Sequence, residues 1–230
     1  MNENDILSKT PRREFLGSLA AGAATLGIST LAPLGLSASP DLSTMAGEAD
    51  AWFEKVKGKH RVVFDVPEPH EVFPFAWPRV FLMTNANTGT PEAESGVVVV
   101  LRHNAIPYAM NDTVWAKYKF GEVFKIDDAA TKAPSVRNAF WKPKVGDFAV
   151  PGIGNVAIGI NELQDSGVMF CVCDMALTVY SAAIAGAGGD PVAVKKDFVA
   201  NLLPGIQIVP SGVWALGRAQ EKKCAYIFCG

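Results

Sequence analysis

Short apolar runs alternate with longer amphipathic segments along most of the chain. Five of these runs are rich in β-branched or aromatic residues and are bounded by turn residues, which predicts short strands buried on both faces. The segments between them carry helix-start residues and apolar positions three and four apart, which is typical of amphipathic helices. Strands that alternate with helices favour a five-stranded parallel sheet in a three-layer α/β/α sandwich. The predicted strands lie at residues 61–66, 96–101, 168–172, 206–209 and 225–228.

Residues 121–157 interrupt this alternation. The segment contains three prolines together with Phe140, Trp141 and Phe148. A loop of this length inside a domain is usually a lid, a binding loop or an interface arm, and its aromatic residues argue against polar disorder. Packing back onto its own core is the alternative. We predict an irregular insertion within an α/β domain at 60–230. A polar lead-in at 39–59, with a short amphipathic helix around residues 48–56, precedes this domain.

The first 38 residues differ from the rest of the chain. Arg12 and Arg13 precede Phe15 and Leu16, and an uncharged stretch rich in Ala, Gly and Leu follows. Paired arginines before a mildly apolar region are typical of a bacterial twin-arginine export signal. We therefore predict a signal peptide at residues 1–38, recognised by the twin-arginine translocase, and localisation in the periplasm. A single membrane anchor is the alternative.

Charge and motif content exclude several classes of function. The formal net charge is -2 at pH 7, and the chain without residues 1–38 keeps that value because the segment holds three bases and three acids. This balance provides no basic field for nucleic acid. The four cysteines lack the paired spacing of structural zinc sites, and no phosphate-cradling glycine loop follows a strand. We predict neither a metal nor a resident cofactor, with a cofactor-bearing redox enzyme as an alternative motivated only by the export route.

Cys173 is the main candidate for chemistry. It lies where the third strand ends and a helix begins, with Asp174 as the expected N-cap residue. The carboxyl edge of an open α/β sheet is where ligands bind, and a helix N-terminus helps to stabilise a thiolate. A small buried core residue is the alternative interpretation of this cysteine.

Other polar and sulfur-bearing residues follow neighbouring strands at the same edge. They are His103, Asn104, Ser211, Gly212 and Cys229. Because histidine in general titrates near neutral pH, His103 is a candidate to orient or deprotonate the thiol. Cys229 is a candidate resolving or disulfide partner for Cys173. A serine hydrolase is disfavoured because Ser211 lacks the Gly-x-Ser-x-Gly elbow.

Two motifs around these positions, Phe170-Cys-Val-Cys-Asp-Met-Ala-Leu177 and Val209-Pro-Ser-Gly-Val213, resemble the DsrE/DsrF-like family of sulfur-relay proteins. The resemblance covers most of residues 60–230, and the segment at Arg102 resembles the twin-arginine-exported members. It implies a flavodoxin-like sandwich that assembles into homo- or hetero-oligomers. In the cytoplasmic sulfur-relay members, a cysteine after the third-strand region carries sulfur as a persulfide, and Cys173 matches that position.

These observations lead to two functional hypotheses. In the first, an exported DsrE-like protein handles sulfur as a persulfide or mixed disulfide on Cys173. His103, Asn104, Ser211 and Gly212 would then bind the terminal sulfur or its donor, and the partner would be a small sulfur species or a thiol protein. In the second, the same fold serves as a non-catalytic module for small-ligand binding or oligomer assembly.

Overall fold

A parallel five-stranded sheet lies at the centre of the computed structural model, which describes residues 40–150 and 154–230. The strands are β1 (His60–Val66), β2 (Ser95–Leu101), β3 (Ala149–Val150), β4 (Gly154–Asn155), β5 (Met169–Cys173), β6 (Gln207–Val209) and β7 (Ala225–Phe228). The strand order in the sheet is β6-β5-β2-β1-β7, and every neighbouring pair is parallel. A separate antiparallel ladder joins β3 to β4. The predicted α/β/α sandwich is thereby confirmed.

The burial of each strand follows its composition. β2 is the central strand, and all seven of its residues are buried, as its run of four valines predicts for a strand covered on both faces. β7 lies at one edge of the sheet, and all four of its residues are exposed. The predicted signal peptide, with Arg12 and Arg13, falls outside the described residues.

Helices connect the strands and cover both faces of the sheet. The helices are α1 (Pro40–Phe53), α2 (Phe73–Asn87), α3 (Asp112–Lys117), α4 (Phe120–Val123), α5 (Ile160–Asp165), α6 (Asp174–Ala185), α7 (Pro191–Ala200) and α8 (Gly212–Glu221), with 3₁₀ helices at Glu92–Glu94 and His103–Ala109. The α7 helix begins at Pro191 and is capped by the Asp190 carboxylate, which accepts the Val192 and Ala193 N–H groups. The α2 helix continues through Pro78.

Alternate residues of the strands pack into two separate hydrophobic cores, one on each face of the sheet. Val62 and Phe64 of β1 pack with α2, α6 and the insertion, whereas Val63 packs with α1 and α8 on the opposite face. Trp52 and Phe53 of α1 are buried in this second core. The segment predicted as a polar lead-in therefore supplies a core helix, and the compact unit begins at Pro40.

The described part of the insertion packs against its own domain. Asn138 is buried, and its amide donates to the carbonyl oxygens of Tyr108 and Met110 at 2.9 and 3.0 Å. Gly121 lies directly against the Ser135 backbone, where an added Cβ would approach the Ser135 nitrogen to 2.2 Å. These contacts agree with the alternative in which the segment folds back onto the core.

In the part of the chain that the structure describes, no helix combines the length and the apolarity that crossing a bilayer requires.

Candidate functional site

Cys173 is both the last residue of β5 and the N-cap of α6. Its Sγ accepts the backbone N–H of Ala176 at 3.3 Å, and the residue is only 6% exposed. Asp174, predicted as the N-cap, is instead the first helical residue, and its carboxylate pairs with Lys195 at 2.7 Å. The thiol therefore occupies the capping position, where the N–H groups of the helix favour negative charge.

Cys171 and Cys173 have different surroundings although they are two residues apart. Cys171 is fully buried in the core beneath α1 and α8, and this burial raises the pKa of its thiol. Cys173 packs in the opposite core because the chain turns into α6 immediately after it. Of these two thiols, only that of Cys173 receives a hydrogen bond from a helix N-terminus.

Arg102 is the cation beside Cys173. Leu101 of β2 pairs in register with Val172 of β5, so Arg102 and Cys173 are the next residues on two adjacent strands. The guanidinium donates to both carboxylate oxygens of the buried Asp65, at 2.6 and 2.9 Å. The pKa of Arg102 is raised chiefly by this hydrogen bond, and the charge of Cys173 acts in the same direction.

Two further residues hold the Asp65–Arg102 pair in place. The Tyr226 hydroxyl of β7 donates to Asp65 Oδ2 at 2.7 Å, and burial together with this bond raises the pKa of Tyr226 to about 12. Gly212, at the start of α8, lies against the Arg102 side chain, where an added Cβ would approach Arg102 Cβ to 2.5 Å. The predicted site residue Gly212 thus permits Arg102 to pack beneath the helix.

The side chains of His103 and Asn104 both contact the Tyr180 hydroxyl. The His103 backbone is left-handed (φ 48°), and its Nδ1 lies 3.0 Å from the Tyr180 hydroxyl, which donates to Asn104 Oδ1. The hydroxyl can then accept a hydrogen bond from Nδ1–H, and partial burial lowers the pKa of His103. Phe124 of the insertion packs on the Tyr180 ring at 4.8 Å. His103 is therefore engaged with Tyr180, and none of its described hydrogen bonds reaches Cys173.

Ser211 has a capping role. Its Oγ accepts the Trp214 N–H at 3.2 Å at the start of α8. Val209, the last residue of β6, is the register partner of Cys173, and Ser211 follows two residues after Val209. The N-termini of α6 and α8 thus begin at the same edge of the sheet, next to Cys173.

Cys229 is far from Cys173. Their strands, β7 and β5, are separated by β1 and β2, which amounts to about 14 Å at the usual strand spacing. A disulfide needs Cα atoms within about 7 Å, and all four cysteines are free. The strand order therefore corrects the expected pairing of Cys229 with Cys173 in one chain. Burial also raises the pKa of Cys229 to about 12.

Three residues of this region were missed by the sequence analysis: Asp65, Tyr180 and Tyr226. A signal existed for Asp65, because it interrupts an otherwise apolar run and aspartate is almost never fully buried unless it is paired. Tyr180 follows Cys173 by two helical turns, which places both on one side of α6. The contact of Tyr226 with Asp65 depends on strand order and had no local signal.

In the described ranges, no group of three His, Cys, Asp or Glu side chains is placed so that it could bind a metal ion.

No family model matches the sequence, and a comparison with curated proteins finds no match. Among solved structures, the chain is similar to a protein of unknown function, MTH1491 from Methanobacterium thermoautotrophicum. The sequences are 20% identical over 74% of this chain and 99% of that chain, with a TM-score of 0.40. This degree of likeness carries no argument about function.

Proposed function

We propose that this protein carries sulfur as a persulfide on Cys173, in the periplasm after twin-arginine export. The observation that carries the proposal is the position of the Cys173 thiol, whose Sγ accepts the Ala176 N–H at the start of α6. Arg102 follows the adjacent strand β2, and the charge of Cys173 acts on its guanidinium. A helix N-terminus and a neighbouring cation both stabilise a thiolate, which is the nucleophilic form of cysteine. The resemblance to DsrE/DsrF-like sulfur-relay proteins supports the same assignment.

The proposed reaction transfers one sulfur atom without net oxidation. The Cys173 thiolate attacks the outer sulfur of thiosulfate or of a small organic persulfide. A sulfur–sulfur bond forms on Cys173 while the donor's sulfur–sulfur bond breaks, and its electron pair leaves with sulfite or with the donor thiolate. The new terminal sulfur carries the negative charge.

Arg102 and the start of α8 are the groups that would stabilise the product. A persulfide anion would extend one bond beyond Cys173 Sγ at the sheet edge where Arg102 follows β2 and where Ser211 and Gly212 begin α8. The guanidinium keeps a fixed orientation because Asp65 binds two of its nitrogens. The His103–Asn104–Tyr180 cluster would bind the remainder of the donor or of a thiol partner protein.

Mass-resolved trapping of the persulfide tests this proposal. Reduced full-length protein is treated with thiosulfate or with a small organic persulfide, alkylated, and digested for peptide mass analysis. We expect one added sulfur atom on Cys173, its loss in Cys173→Ala, and its retention in Cys171→Ala, the matched variant on the same strand. Folded, reduced wild-type protein that gains no sulfur from either donor would overturn the proposal.

A non-catalytic binding or assembly module is the second candidate, favoured by the low exposure of Cys173, at 6%. On this hypothesis the thiol fills the core, and Cys173→Ala leaves self-association or partner binding unchanged while no sulfur is acquired. The trapping experiment and a binding measurement on the same variant therefore distinguish the two functions.

A further inference from the structure

β7 leaves one edge of the sheet open. It pairs only with β1 among the described strands, and all four of its residues are exposed. The opposite edge differs, because β6 is a three-residue strand that is partly buried and has α1 packed beside it. Exposed edge strands are usually protected by charge, proline or a covering element. β7, with the sequence Ala-Tyr-Ile-Phe, has no charged residue or proline.

Among the residues that the structure describes, no strand pairs with the outer backbone groups of β7. The Cys229 N–H donates inward to the Asp65 carbonyl oxygen at 2.8 Å. Backbone groups alternate in direction along a strand, so the N–H groups of Tyr226 and Phe228 point away from β1. A partner that satisfies these donors and the neighbouring carbonyl groups is itself a β-strand.

Apolar side chains of α2 extend the apolar surface at this edge of the sheet. Arg79 reaches from one side of α2 to the carbonyl oxygens of Ala157 and Glu162. The helical repeat places Trp77 and Phe81 on the opposite side of α2.

The position of Phe81 connects α2 to β7. The Phe81 ring lies 6.4 Å from that of Phe64, whose register partner is Ile227. We call the residues along this edge the edge patch: Trp77, Phe81 and Ile227 lie on the α2 face of the sheet, and Tyr226 and Phe228 lie on the opposite face.

We propose that a second copy of this chain binds the edge patch, with β7 pairing antiparallel to β7 of its mate about a two-fold axis. A two-fold interface uses the same surface of both copies, and β7 offers the strand that its own open edge requires. The edge patch contains no charged side chain that would select a partner of opposite charge. In the antiparallel arrangement, Lys222 and Lys223 of the two copies lie at opposite ends, whereas parallel pairing would place like charges together.

The area of the edge patch suits a specific dimer. Aromatic side chains present about 150–250 Å² each, so five partly exposed residues with their backbone supply on the order of 500 Å² per copy. Two copies then bury about 1,000 Å², the size at which specific interfaces begin. This inference does not depend on sulfur chemistry at Cys173.

Sedimentation of the full-length protein over a range of concentrations tests the interface. We expect a dimer for the wild type and a shift to monomer in Phe228→Lys and in Trp77→Lys, which alter the strand and helix parts separately. Val179→Lys is the matched control, because Val179 and Phe228 are both 55% exposed and Val179 lies on α6. It should remain dimeric.

Other occupants of the edge patch give different results. A wild type that stays monomeric at every concentration overturns the proposal, as does a dimer that persists in both lysine variants. Chemical crosslinks from residues before Pro40 to the edge patch of the same chain, in a monomer, would assign the surface to that segment and also overturn it.

Discussion

The Arg102 guanidinium binds both carboxylate oxygens of Asp65, at 2.6 and 2.9 Å. Asp65 lies within β1, whereas Arg102 follows β2 and stands beside Cys173 at the end of β5. The pair therefore links the buried interior of the sheet to the edge where the candidate thiol lies. Tyr226 of β7 donates to the same carboxylate, so the ion pair connects β1, β7 and the end of β2. The end of β5, with Cys173, lies next to Arg102.

Removal of the Asp65 charge should destabilise the fold. Asp65→Asn leaves the Arg102 guanidinium without its carboxylate in a mostly buried position, and we expect a loss of about 3 kcal/mol in the free energy of unfolding. Urea denaturation measures the change. Glu122→Gln breaks an exposed ion pair with Lys119 and should cost less than about 1 kcal/mol. Equal stability of Asp65→Asn and wild type would contradict the structural role assigned to this pair.

Substitution of alanine for each of two glycines of α8 should change the free energy of unfolding in opposite directions. An added Cβ at Gly212 meets the Arg102 side chain at 2.5 Å, whereas one at Gly217 meets nothing within 4 Å. We expect Gly212→Ala to lower the free energy of unfolding by about 1–3 kcal/mol through overpacking. Gly217→Ala should raise it by about 0.5–1 kcal/mol because alanine favours a helix interior. Thermal denaturation of both variants measures this difference, and a shift in the same direction would refute it.

Asn138 should control the attachment of the insertion. Asn138→Ala leaves the carbonyl oxygens of Tyr108 and Met110 without their donor, and each buried unpaired group costs about 1–3 kcal/mol. We expect a loss of at least about 2 kcal/mol and faster proteolysis within residues 121–150.

The control for this prediction is Asn161→Ala, which loses one bond, from the exposed Lys142 N–H, and should lose about 1 kcal/mol. Unchanged protease resistance in Asn138→Ala would show that other contacts hold the insertion.

Alkaline pH should destabilise the protein partly through Cys229. Burial raises the pKa of this thiol to about 12 in the folded state, whereas an unfolded cysteine titrates near 8.5. Between these values the folded chain holds a proton that the unfolded chain has lost, so stability falls as pH rises through this window and is unaffected below it. Denaturation from about pH 8 to about pH 10 should show a shallower decline in Cys229→Ser than in wild type. An identical decline in both proteins would contradict the assignment.

The position of Cys173 shows what local pattern can predict. The apolar run and the helical spacing after it correctly placed this residue at a strand-to-helix junction. The same pattern assigned the cap to Asp174, because aspartate is the commoner capping residue. In the folded chain the Asp174 carboxylate pairs with Lys195 of α7, a contact across 21 residues that no local propensity encodes.

The amino-acid sequence by itself determined the five parallel strands, the helices between them and the strand-end location of Cys173, because hydrophobic periodicity and capping are local properties of the chain. Only the tertiary structure decided which strand ends are neighbours. The order β6-β5-β2-β1-β7 places Arg102 beside Cys173, brings Tyr226 to Asp65 and separates Cys229 from Cys173. These relationships depend on long-range packing among strands, which a pattern of apolar and polar positions leaves open.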